Sequence, residues 1–197
     1  MSDFEVYLKL GLWHITDIAA CDHILFVIAL CATYTLPEWR RVLWLITAFT
    51  VGHSLTLALS VLQVIAIPSA FIEILIPITI MITCILNSKQ ANTTRTFAKS
   101  KYALALFFGF VHGCGFSNYL KTLLGGSETI WKPLLYFNIG LEVGQLTIVC
   151  FFFLFATLIT KMFHVEHRKW LNTVSGIVFA AACYFLTQNL LAAFYPN

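Results

Sequence analysis

Residues 132–160 read KPLLYFNIGLEVGQLTIVCFFFLFATLIT, and between the lysines at 132 and 161 the only charge is Glu142. A membrane-spanning strand needs about 9–11 residues and a spanning helix about 20. A continuous apolar run of this length therefore reads as a transmembrane helix. It also carries a polar stripe: Asn138, Glu142 and Gln145 follow i, i+4, i+7 spacing and share one helical face.

Working outward, five more runs qualify, at about 17–36, 41–63, 68–87, 101–124 and 170–193. The breaks between them hold Pro37 with charges, Pro68, the polar loop NSKQANTTRTFAKSK, the GGSETIWKP turn and the KMFHVEHRKW turn. Lipid leaves only helices or closed barrels as spanning structures. The expected fold is thus all-α: a polytopic bundle of six transmembrane helices forming one membrane domain over 1–197. Composition agrees. Charged residues are 11% and hydrophobic residues 59%, where soluble domains carry about 25% charged; mean hydropathy is +0.84.

The first residues, MSDFEVYLKLGLW, carry Asp3 and Glu5 where a signal peptide has basic residues, and no small-residue cleavage site follows. The first run is therefore expected to remain as an anchor. The six cysteines stand singly in apolar runs and read as small buried hydrophobes. Arg40, Arg41, Lys89, Arg95, Lys99, Lys101, Lys161, Arg168 and Lys169 gather at one set of loops, against Lys9, Lys121 and Lys132 at the other. The positive-inside rule places the larger set in the cytoplasm and both termini outside. The net charge of +3 is small and dispersed, which argues against a nucleic-acid partner.

Ionisable residues inside a membrane are costly and face the bundle interior. This chain has a set of them: His14, Asp17, Asp22 and His23 at the first run, His53 in the second, Glu73 in the third, His112 in the fourth and Glu142 in the fifth. His53, His112 and Glu142 each lie ten to twelve residues from a flanking charge. At about 1.5 Å per residue, that is ~15–18 Å, near the middle of a ~30 Å core. Gly109 and Gly113 bracket His112, and Gly140 and Gly144 bracket Glu142, spacing that lets helices approach closely.

In one straight helix His14 and His23 would point opposite ways. A helix capped at Thr16 or Asp17, with His14 in a lead-in segment, removes that conflict. The pool of imidazoles and carboxylates suits a divalent ion such as Zn, Ni, Cu or Fe. Thr50, Ser54, Asn138 and Gln145 are placed to orient the ligands, and Glu73 to line an entrance. The bland alternative is a hydrogen-bonded polar network with no metal.

The motifs HITDIAACDHILFVIALC (14–31), WLITAFTVGHSLTLAL (44–59), FGFVHGCGFS (108–117) and FNIGLEVGQ (137–145) occur in this order. Together they resemble the HupE/UreJ family of bacterial membrane proteins, in its second branch without a signal peptide. Members are regarded as nickel or nickel/cobalt permeases associated with hydrogenase and urease accessory clusters. The resemblance implies residence in the bacterial cytoplasmic (inner) membrane. It implies that His14, Asp22, His23, His112 and Glu142 match the polar residues of the family motifs.

The expected function is a metal permease binding a divalent transition metal at a buried site, with the ion and the bilayer as partners. A second copy or a membrane complex is left open. Two rivals stand beside it: an intramembrane zinc-type hydrolase acting on a lipid or peptide, and a metal-binding subunit that transports nothing.

Overall fold

The computed structural model describes residues 2–90, 98–116, 120, 122–123 and 130–195. Its helices are α1 (Asp3–Thr16), α2 (Asp22–Cys31), α3 (Trp39–Val61), α4 (Ser69–Gln90), α5 (Ala98–Gly115), α6 (Trp131–Met162) and α7 (His167–Phe194), with a 3-10 turn at Leu36–Glu38 before α3. No strand occurs among the described residues. Four stretches are long and apolar enough to cross a membrane: Leu36–Val61, Ser69–Lys89, Trp131–Met162 and His167–Phe194. The far end of the expected fourth run, much of the 87–101 and 125–133 loops, and residue 197 lie outside the described residues.

The expected first span, 17–36, is corrected. It is not one helix, and its cap is not at Thr16 or Asp17. Residues 3–16 form a helix of their own, which ends at Thr16. The SDFE sequence starts it as a capping box: Ser2 Oγ accepts the Glu5 N–H at 3.4 Å, and the Ser2 N–H donates to Glu5 Oε2 at 3.2 Å. Asp17 Oδ1 then accepts the Ala19 N–H at 2.9 Å, a local bond that competes with helix continuation. The chain turns over 17–21 and restarts at Asp22. The restarted α2 has ten residues, which span ~15 Å, half a bilayer core.

The tightest packing joins α3 with α5 and α1 with α6, and glycine is the reason. A Cβ on Gly109 would overlap the Phe49 carbonyl, and one on Gly113 the His53 carbonyl; one on Gly52 would overlap the Leu106 carbonyl. From Phe49–Gly109 to His53–Gly113 both helices advance by one turn, so α3 and α5 are parallel. On the other pair, a Cβ on Gly140 would meet the Leu8 carbonyl and one on Gly11 the Phe137 carbonyl. With Phe4 against Tyr136 and Gly144 against Ile15, α1 runs parallel to the first half of α6. In lipid, apolar area does not drive helices together; close van der Waals contact does. The large residues can accordingly face outward, as Phe151 and Leu154 do, each 68% exposed.

The third pair, α4 with α7, is antiparallel. Asn189 Nδ2 donates to the Glu73 carbonyl at 2.6 Å near one end, and Asn87 Nδ2 lies 3.4 Å from Ser175 Oγ near the other. Asn87 also donates to the Ala29 carbonyl of α2 at 2.8 Å. Beside it, Val27, Cys31 and Ala32 pack with Val149, Phe152 and Phe153. The ends of α2, α4 and α6 therefore share one end of the bundle, and the starts of α1, α4 and α6 share the other.

Candidate metal centre

The break between α1 and α2 does the positioning. His14 sits in the last turn of α1 and His23 in the first turn of α2. Their ring centres are 4.6 Å apart. The phase conflict of a straight helix is removed by ending one helix and starting another. His53 joins from α3, with ring centres 5.6 Å from His14 and 6.0 Å from His23. His112 joins from α5, 4.8 Å from His23. Four imidazoles on four helices thus form one cluster, and the Gly109 and Gly113 contacts set the register that brings His53 and His112 to one level.

Two of the rings have a fixed orientation. His112 Nδ1 lies 2.8 Å from the Phe108 carbonyl oxygen, so that nitrogen carries the proton and donates it. His23 Nδ1 lies 2.9 Å from Asp22 Oδ1, which also accepts the His23 backbone N–H at 2.8 Å. Each leaves Nε2 as a lone pair. The Nε2 atoms of His14, His23 and His112, and both ring nitrogens of His53, are buried with no hydrogen-bond partner among the described residues. Buried polar atoms left this way cost about 1–3 kcal/mol each. A neutral imidazole keeps one ring nitrogen free to donate a lone pair, so each of the four rings offers a donor to an electron-poor partner. His53 is 0% and His112 1% exposed. Phe26, Phe49, Phe116 and Phe137 wall the cluster, with Phe116 4.0 Å from His14 and Phe137 stacked 6.3 Å from His53, centre to centre.

As the side chains stand, no group of three or more His, Cys, Asp or Glu among the described residues is arranged to hold a metal ion. The rings are gathered, but their nitrogens do not converge on one point.

The other expected site residues lie around this cluster. Glu142 accepts the Thr47 hydroxyl at 2.9 Å, and Gln145 Oε1 accepts the Thr50 hydroxyl at 2.8 Å, so both tie α6 to α3. Glu142 has no hydrogen bond or ion pair to an imidazole. Gln145 is fully buried, and its Nε2 and the Oδ1 of Asn138 are without hydrogen-bond partners. Ser54 donates to the Thr50 carbonyl of its own helix at 2.6 Å. Asp17 makes the turn already described, and Glu73 is exposed on α4. The aromatic wall and the buried Asn87 escaped sequence reasoning. Phenylalanines are common along the whole chain, and Asn87 reads as the first residue of a polar loop.

A family profile described as HupE / UreJ protein matches residues 1–189. The chain belongs to the HupE/UreJ family. Neither a curated protein nor a solved structure matches it. All four motifs lie inside the region matched to HupE/UreJ, and so do all four clustered imidazoles.

Proposed function

We propose that this HupE/UreJ protein carries a divalent transition metal ion, of the nickel, cobalt or zinc class, across the bacterial cytoplasmic membrane. One observation supports this above the rest: four imidazoles, three of them buried and His14 half-buried, meet at a break in a helical element, with their Nε2 atoms unpartnered among the described residues. Imidazole suits late first-row divalent ions. A carboxylate on the far nitrogen, as Asp22 is on His23, is the usual way to fix a ligating ring. His14, His23, His53 and His112 are the proposed donors, brought to bonding distance by side-chain rotation. Asp22 orients His23, and Thr47–Glu142 and Thr50–Gln145 hold α6 against α3. Membrane transporters often bind cargo at interrupted helices near mid-bilayer. Here α1 and α2 are read together as the first of six crossings, with α3, α4, α5, α6 and α7 as the others. The arginine and lysine distribution puts both termini outside.

The test is elemental analysis of protein purified without chelator, followed by nickel uptake into proteoliposomes. The wild-type chain should retain an ion. His112→Ala should lose it while keeping its helical circular dichroism. Asn in place of Asp22 should weaken affinity about 10–100-fold. A wild-type protein that binds no divalent ion overturns the reading. Binding without uptake turns it into a metal-binding subunit or a hydrolase.

A further inference from the structure

Phenylalanine rings pack against the imidazole cluster, and the question is how an ion would reach it. One group of the site reaches beyond that wall. The side chain of Asp22, bonded to His23 on one side, is 27% exposed, against 6% for His23 itself. It forms part of the lining of a cavity of about 130 Å³ between the 17–21 turn, α4 and α7. Cys21, Asp22, Glu73, Pro77, Phe185 and Asn189 are among its lining residues. Glu73 lies one turn into α4, at the end of the bundle where α1 and α6 begin, and it is exposed. Asp22 lies deeper: α2 runs alongside α4 in the same direction and Ala29 meets Asn87, so seven residues earlier Asp22 comes level with Ile80. The cavity therefore carries one carboxylate at its outer part and another at its inner wall. The inner one holds the proton side of a ring whose other nitrogen has no partner.

The geometry points to a lateral entry route: a hydrated divalent cation passes from the α1-start end of the bundle along the α2–α4–α7 cavity, from Glu73 to Asp22, and is handed to His23. This rests on the metal-carrier reading and adds the path and the receiving residues. Two carboxylates lining an apolar-walled cleft raise the local cation concentration, an effect of 10–10³ in association rate that falls with ionic strength.

Cys21 is a built-in reporter, because it lines the cavity beside Asp22 and is a free thiol. In a full-length variant with Cys31, Cys84, Cys114, Cys150 and Cys183 changed to Ala, a water-soluble methanethiosulfonate reagent should label Cys21. The label should slow Ni²⁺ loading of the purified protein, measured by stopped flow. Separately, Glu73→Gln should slow loading about tenfold and flatten its salt dependence, leaving final occupancy at saturating Ni²⁺ unchanged. A Cys21 thiol inert to the reagent in water, or loading rates unaltered by both changes, overturns the route while leaving the carrier reading intact. Absence of Ni²⁺ occupancy in the unmodified wild-type protein overturns the carrier reading, and the route with it. Lost occupancy in Glu73→Gln at saturation would make Glu73 a ligand and also overturn the route as drawn.

Discussion

Glu142 is the residue at which sequence and geometry differ most in what they suggest. Its depth, and the lack of any lysine or arginine at its level, point to a metal ion or a protonated imidazole as partner. In the structure a hydroxyl serves: Thr47 Oγ1 donates to it at 2.9 Å. Depth along a helix is legible from the sequence, but the bonding partner depends on which neighbour lies opposite, and that is set by helix crossings. Glutamine keeps the accepting oxygen, so Glu142→Gln should retain metal occupancy and change stability little. Glu142→Ala removes the bond and leaves Thr47 to find another acceptor. It should cost about 1 kcal/mol, read as a lower melting temperature in detergent, with the ion still bound. Occupancy lost in Glu142→Gln would return the carboxylate to the ligand set. The four histidines were legible because each imidazole stands in or just before an apolar run. The orientation of their rings was not, because it rests on a backbone carbonyl at Phe108 and a carboxylate one residue away.

At the scale of elements, the long helices were legible from apolar length alone, since lipid admits few alternatives. The break in the first run was not. Residues 17–36 are apolar enough to read as continuous, and the signals that divide them are small: an Asp17 side chain bonding two residues on, and a capping box at Ser2 that belongs to a helix the hydropathy pattern does not demand. The glycine spacing was legible, and its consequence is measurable. At Gly109 a Cβ would strike the Phe49 carbonyl and crowd the His53 N–H. Backbone cannot rotate away as a side chain can, so α3 and α5 must separate. Gly109→Ala should destabilise by about 1–3 kcal/mol and spoil metal binding through the His53–His112 register. Gly176→Ala is the control, since nothing lies within 4 Å of its added Cβ. It should melt at the same temperature or slightly higher, given the helix preference for alanine. Equal melting of the two variants would show that the glycine contacts do not hold the pair together.

For the whole molecule, the start of α1 and the end of α7 lie at the same end of the bundle, as an even number of crossings requires. The orientation proposed from the lysine and arginine distribution puts that end outside. Reporter fusions at Asn197 and Asn92 should read out opposite sides, with Asn92 cytoplasmic; a cytoplasmic Asn197 would reverse the side from which Asp22 is reached. The glycine contacts have a mechanical consequence at this scale. Backbone laid on backbone admits little compression, so α3 with α5 behaves as one stiff plate and α1 with the first half of α6 as another. His53 and His112 are bolted to the first plate and His14 to the second, while His23 rides on the short α2 beyond the hinge at 17–21. Within the first plate the backbone spacing of His53 and His112 is therefore fixed. The backbones that carry the four rings are thus held at distances set by two plates and one short lever, and what is left to adjust is the swing of each ring about its own side-chain bonds.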